Sequence, residues 1–417
     1  MKAEIIAVGT ELLLGQIVNT NAQALSIKLA ELGIDVYFQS VVGDNAGRLR
    51  QAIEVGRGRA DLLVFTGGLG PTQDDLTKDV LAEYLKRDLI IHEPSMKKIE
   101  DMFAERGVHM VESNRRQAIM LEGSVPLENT TGLAVGNALE QDGTYYMLLP
   151  GPPREMKAMI AGAGDDWLRA ILGNVKPLFS RILKFAGIGE SNLEHRLIDL
   201  IEAQKETTIA PYAKEGEVTI RVSVKADDEV EANIKINEAV EQIKARVGEH
   251  LYAQRDIPIE VTVLELLRGS GRTLASAESC TGGLFSEMIT SVPGSSGEYA
   301  GAAVTYTNAM KHKLLGIPME DLEGEQAAGA VSKNTARMMA ERIRELADAD
   351  FGVSFTGVAG PSQSEGKEVG LVYYAIAERG KETVVYEGKF NGNRSMVRLR
   401  AVNAALFRLW QALSAAN

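Results

Sequence analysis

The sequence predicts an α/β chain in three successive parts. Three observations predict it: short apolar segments alternate with helical stretches at both ends of the chain, glycine-rich turns follow the apolar segments, and the middle stretch keeps a different rhythm. At roughly 100 to 200 residues per domain, 417 residues make two or three domains.

Within the first part, 4–8 reads as a strand, 21–32 as a helix stopped by Gly33, 34–42 as a second strand, 46–55 as a second helix and 62–65 as a short buried strand before Thr66-Gly67-Gly68. Strands separated by helices imply a parallel sheet covered on both faces, with ligands at the strands' C-terminal ends. A hairpin of 133–135 with 145–149 leads into Pro150-Gly151-Pro152-Pro153 and a helix at 154–160. This domain spans 1–170. The middle part, 175–252, reads βαββα: a strand at 181–187, a helix opened by a Ser191/Glu194 capping box, strands at 207–212 and 217–225, and a long helix at 229–247. Ile257-Pro258 forms the joint. The third part, 257–417, alternates helices at 260–267, 309–315, 334–346 and 396–413 with strands at 272–277, 301–306, 351–355, 369–377 and 383–390, a second α/β domain.

The formal charge of −12 argues against wholesale wrapping of nucleic acid, because such affinity comes from Lys and Arg neutralising phosphates. One cysteine, Cys280, allows no internal disulfide and fits a reducing compartment. No apolar run approaches the roughly 20 residues of a membrane span, and the opening MKAEIIAVGTE is not a signal peptide. A cytoplasmic protein is expected. The five histidines, at 92, 109, 195, 250 and 312, all lie more than four positions apart, which excludes HxH and HExxH and leaves no local zinc motif.

Two sets of strand-end turns could carry chemistry. TGGLGPTQDD, residues 66–75, places Gly67, Gly68 and Gly70 where the backbone can approach an anion, beside Thr72, with Asp74 and Asp75 able to hold a divalent cation that bridges to phosphate. It matches neither the P-loop nor GxGxxG. The plainer reading is a glycine turn with an Asp N-cap for the helix at Leu76. Gly9-Thr10-Glu11 ends the first strand on the same edge, and the 150–153 segment is either a further wall or a rigid corner.

In the third part, SAESCTGG presents Ser279 at a strand-to-helix turn as a candidate nucleophile, with N–H groups at Thr281, Gly282 and Gly283 to hold an oxyanion or phosphate. No His or Asp partner stands out, so a lysine in its neutral form is the attractive base. VTYTNAMKHK supplies Lys311, with Tyr306 and Asn308 on the preceding turn. A solvated lysine is the ordinary alternative, and Cys280 reads as a buried small residue rather than a nucleophile. SFTGVAGPS brings Thr356, Gly357 and Gly360 to the same edge, and Arg394 is a candidate anion clamp.

In AEIIAVGTELLLGQIVNTNA, TGGLGPTQDDLTKD, LPGPPREM, AESCTGG and YTNAMK, in that order and spacing, the chain resembles the full-length form of the CinA family over essentially its whole length. The resemblance implies an N-terminal domain similar to molybdopterin-binding domains, a small KH-like middle domain and a C-terminal nicotinamide-nucleotide amidase domain. It implies deamidation of nicotinamide mononucleotide (NMN) without a cofactor, with Ser279, Lys311 and Tyr306, joined by Thr356, as catalytic residues. Thr281, Gly282, Gly283, Asn308, Gly360 and Arg394 would then bind substrate. For the N-terminal pocket of Thr10, Glu11, Gly67, Gly68, Gly70, Thr72 and Asp74, it implies a metal-dependent ADP-ribose pyrophosphatase with Asp75 on the metal, a signature shared with non-hydrolytic molybdopterin binders. Two pockets joined by a small domain lead us to expect a homodimer. The alternative is a competence or DNA-damage accessory protein that binds a recombination partner.

Overall fold

The computed structural model describes residues 1–173, 176–214 and 217–415, so the expected domain start at 175 lies outside the described residues. The chain forms two compact units, Met1–Phe179 with Lys225–Asn233, and Ser180–Val224 with Ile234–Asn417.

The first unit is built on a six-stranded sheet in the order Asp35–Val42, Lys2–Val8, Leu62–Thr66, Thr144–Leu149, Gly136–Gln141, Val125–Leu127. The first four strands are parallel and the last two antiparallel, so the sheet is mixed rather than wholly parallel. The hairpin strand is Gly136–Gln141, not 133–135. Asp142 and Gly143 both have positive φ, which makes a two-residue turn, and pairing Gln141 with Thr144 fixes the register from there. Neighbouring residues of the first strand serve opposite faces: Ile6 packs with Phe65, Leu81 and Leu148, and Ile5 with Leu25, Val64 and Met147. The one charge in that strand's buried run, Glu4, accepts two hydrogen bonds from Arg59 (2.7 and 2.8 Å) and one from Ser40 (2.6 Å), which satisfies it inside the core.

In the middle module the sheet order is Thr207–Lys214, Glu217–Lys225, Leu178–Phe185, Leu251–Ala253, with helices Glu190–Glu202 and Glu229–Val247. The Ser191 capping box does not form. Gly189 is already the N-cap, so Ser191 lies inside the helix and no side chain caps it.

The five-stranded sheet runs Tyr299–Val304, Leu274–Glu278, Phe351–Gly357, Leu371–Glu378, Val384–Lys389. Its first three strands are parallel and the last two form an antiparallel meander. One face packs Val263, Phe285, Phe355, Val397 and Leu406, and the other packs Ala275, Leu315 and Met339. The C-terminal ends of the parallel strands, at Val304, Glu278 and Gly357, therefore share an edge. Among the described residues no helix is long and apolar enough to cross a membrane.

Candidate active site

Ser279 directly follows Leu274–Glu278, the second strand of the sheet, and its own N–H donates to Phe355 O at 2.9 Å, fixing the start of the turn. Gly282 and Gly283 follow with φ of 58° and 94°. Two consecutive left-handed residues are accessible to glycine at little cost, and they swing the chain into the helix Leu284–Thr290. The next strand ends at Val304, and Thr307 caps the helix Asn308–Leu315 by accepting from Met310 N–H at 3.2 Å.

Lys311 is the fourth residue of that helix and points inward. It is 1% exposed, and its Nζ donates to Ser279 Oγ at 2.9 Å and to Thr305 O at 3.0 Å. A solvated lysine is thus excluded. Burial pulls the Lys311 ammonium below the usual lysine value, against the raising influence of Cys280 and Glu365. Burial pushes the Cys280 thiol up to about 12, so it stays a neutral, packed group.

These groups form the floor of a cavity of about 560 Å³ whose wall includes Ser279, Lys311, Asn308, Thr356 and Gly360, with Tyr306 and Arg394 at the mouth. Other expected members are placed differently. Tyr306 is 57% exposed, and its hydroxyl accepts from Arg394 Nη2 at 2.8 Å rather than facing Lys311. Thr356 donates its hydroxyl to Ala330 O at 2.5 Å. Asn308 Nδ2 donates to Glu323 at 2.9 Å. Gly282 and Gly283 lie outside the wall, and their N–H groups are engaged by Ser279 O (3.1 Å) and Glu278 Oε2 (2.9 Å). The N–H groups of Cys280 and Thr281 are the ones in this turn without a partner among the described residues; of the two only Cys280 lies on the cavity wall, and Thr281, like the two glycines, lies outside it.

At the N-terminal edge, a Cβ on Gly67 (φ 104°) would come within 2.1 Å of Val8 O. Glycine is required there for the turn to close on the first strand. A cavity of about 510 Å³ opens over it, lined by Glu11, Asp44, Gly67, Gly68, Gly70, Thr72, Asp74, Asp75 and the 150–153 segment. Thr10 is absent from the wall and instead exchanges hydrogen bonds with Asp44 (2.9 and 3.2 Å). Asp75 does not cap the helix Thr77–Leu85; its Oδ2 accepts from Thr72 N–H (2.9 Å) and Thr72 Oγ1 (2.6 Å).

No group of three His, Cys, Asp or Glu side chains stands at metal-binding spacing among the described residues. A magnesium-like ion that keeps waters and takes phosphate oxygens needs only one or two carboxylates, and Asp74 and Asp75 fit that lighter requirement. Behind the turn, Lys78 is 4% exposed and donates to Arg116 O at 3.0 Å, and Arg116 donates to Asp75 O (3.0 Å) and Asp79 (2.6 Å). Burial, reinforced by Arg116 and opposed by Asp79 and Asp75, brings Lys78 to about 7.

Residues 256–413 match the CinA C-terminal domain, 180–253 the damage-inducible protein CinA KH domain, and 4–170 a probable molybdopterin binding domain. A competence-damage inducible protein of Geobacillus kaustophilus (strain HTA426) is 51% identical over 415 residues, covering 100% of each chain. The chain belongs to the CinA family. A competence-damage inducible protein of Bacillus thuringiensis (strain Al Hakam) is 46% identical over 99% of each chain. A CinA protein of solved structure from Thermoplasma acidophilum is 33% identical, covers 40% of this chain and 96% of its own, and has a TM-score of 0.37.

In this CinA-family chain the cavity also holds groups the sequence does not mark. Glu365 accepts from the N–H groups of Ala330 (3.2 Å) and Val331 (3.1 Å), and Glu323 stands beside Asn308. Arg398 Nε donates to Thr281 O at 3.0 Å, supporting the 279–283 turn from the last helix. Glu278 had a local signal, a carboxylate directly before the serine. Glu323 and Glu365 had none.

Proposed function

We propose that the C-terminal domain hydrolyses the carboxamide of NMN to nicotinate mononucleotide and ammonia. The observation that carries this reading is the Lys311 Nζ to Ser279 Oγ contact of 2.9 Å on the wall of an open cavity. The neutral amine of Lys311 takes the Ser279 proton as Oγ attacks the carboxamide carbon. The N–H group of Cys280, on the cavity wall beside Ser279, receives the developing oxyanion. Lys311 returns the proton to the departing nitrogen, the C–N bond breaks, and ammonia leaves an ester on Ser279. Water then attacks that ester, giving its proton through Lys311 to Ser279 Oγ and releasing nicotinate mononucleotide.

Donation to Thr305 O keeps the amine aimed at the serine throughout. The carboxylates of Glu323 and Glu365 suit the pyridinium charge, and Arg394 at the mouth suits the 5′-phosphate. No cofactor enters these steps.

The N-terminal pocket supports a second reaction, cleavage of the ADP-ribose pyrophosphate bond. Its carboxylates and glycine turn surround a cavity of nucleotide size. A divalent cation held by Asp74 and Asp75 would there neutralise pyrophosphate charge, while the turn's N–H groups orient the phosphates. One assay panel tests both readings: ammonia from NMN and AMP from ADP-ribose, each with and without divalent cations. Metal-independent ammonia release is expected, and its absence in the intact chain would defeat the amidase reading.

A further inference from the structure

Glu278 ends the strand Leu274–Glu278, immediately before Ser279, and is wholly buried. Its carboxylate turns under the following helix. Oε2 accepts from the N–H groups of Gly283 (2.9 Å) and Phe285 (3.1 Å), and Oε1 accepts from the N–H (2.9 Å) and hydroxyl (2.5 Å) of Ser286. The Ser286 hydroxyl lies 2.9 Å from Tyr299 Oη, which lies 2.6 Å from Ser276 Oγ, so the carboxylate terminates a buried polar chain anchored in two strands. Four donors on one buried carboxylate form a charge-assisted cluster that holds its partners closely. The backbone carbonyl of the same residue accepts Thr305 N–H at 2.8 Å, and Thr305 O is the second acceptor of Lys311. Glu278 therefore touches both halves of the reacting pair's support: the nucleophile turn through its side chain, and the lysine's carbonyl partner through its backbone.

We propose that Glu278 is the positioning residue of the Ser279–Lys311 pair. It closes the far end of the 279–283 turn, whose near end is fixed by Ser279 N–H on Phe355 O. By engaging the donors of Gly283, Phe285 and Ser286, it sets the turn in which the Cys280 N–H, on the cavity wall, stays free for an oxyanion. The proposal rests on Ser279 being the nucleophile, so its test must read serine reactivity apart from substrate turnover.

The experiment uses the full chain with Glu278→Gln and Ser286→Ala, each checked for native circular dichroism. Two quantities are measured: the rate at which an alkyl fluorophosphonate labels Ser279, and kcat and KM for NMN. The Gln amide offers a donor where the turn needs an acceptor. Displacement of a reacting group by about an ångström costs on the order of 100-fold, so Glu278→Gln should label roughly 100-fold more slowly, with kcat falling in parallel and KM nearly unchanged. Ser286→Ala, which removes one of the four donors and spares the carboxylate, should lose roughly 5- to 10-fold by the same geometric argument. If Glu278→Gln does not fold, Ser286→Ala decides alone. Folded variants that label at the wild-type rate, or lose activity through KM, would overturn the positioning role while leaving Ser279 as nucleophile. A wild-type chain that is not labelled at Ser279 at all would remove both the nucleophile and the proposal built on it.

Discussion

Arg394 donates one hydrogen bond to the Tyr306 hydroxyl at 2.8 Å and a second to Gly360 O at 2.5 Å, holding the tyrosine at the cavity mouth. Lys311 lies buried on the floor against Ser279. Five residues apart in sequence, Tyr306 and Lys311 thus lie at different depths: the phenol meets the arginine at the entrance, and the lysine amine meets the Ser279 hydroxyl.

Tyr306→Phe should consequently raise KM for NMN by a few-fold and leave kcat close to normal, since one neutral hydrogen bond to Arg394 is worth about 1 kcal/mol. Steady-state kinetics with NMN check this. A collapse of kcat with KM unchanged would make the phenol a participant in proton transfer.

Lys311 must be neutral to accept a proton. Burial holds its pKa below the ordinary lysine value, and the pyridinium of bound NMN pushes the same way. The rate should therefore rise with pH as the ammonium loses its proton, and level off once the amine form dominates. Lys311→Met should lose at least about 1000-fold and Lys311→Arg nearly as much, because a guanidinium stays protonated. The pH profile of kcat/KM, with the arginine variant beside the wild type, is the measurement; an arginine variant with near-normal kcat would place the base elsewhere.

Ser279→Ala should reduce ammonia release by about three to four orders of magnitude, the usual loss for a covalent nucleophile. Cys280→Ala should keep most activity, because the thiol is packed and held neutral near 12. Reversal of the two results would make the neighbouring sulfur the nucleophile.

Asp75→Asn is expected to leave NMN deamidation intact and to lower metal-dependent AMP release from ADP-ribose by tenfold or more, on the order of the loss of one charged ligand. Each α/β domain has its own strand-end loops and cavity. Parallel loss of both activities in a folded variant would reveal coupling between the two sites.

Lys78 supplies a stability test with a definite sign. Its pKa is about 7 in the fold and about 10.4 in an unfolded chain. Between those values the unfolded chain carries the extra proton, so stability rises with pH, and it is lost as pH falls through about 7. Lys78→Met removes this dependence. From pH 6 to pH 9 the wild type should gain about 2 to 3 kcal/mol relative to Lys78→Met, read as converging melting temperatures of the N-terminal transition. Parallel melting curves across that range would show that Lys78 stays protonated.

The sequence by itself determined where chemistry could occur. Apolar runs such as Leu62–Thr66 and Phe351–Gly357, each followed by glycine turns, specify strands whose C-terminal ends share an edge, because parallel pairing sends every strand the same way. Ser279, Lys311 and Arg394 were legible as residue types at those turns. Tertiary structure decided what each side chain does there. Lys311 is a buried amine, 1% exposed, because the fold packs it against Ser279 and Thr305, and desolvation is a property of that packing, absent from the local sequence. The same holds for Glu278, whose four donors lie within eight residues yet meet one carboxylate only after Gly282 and Gly283 turn the chain back. It holds too for Tyr306, drawn to the mouth by an arginine 88 positions away. A local pattern fixes backbone direction and the supply of groups; which groups are dry, paired or free depends on neighbours that only long-range packing brings into contact.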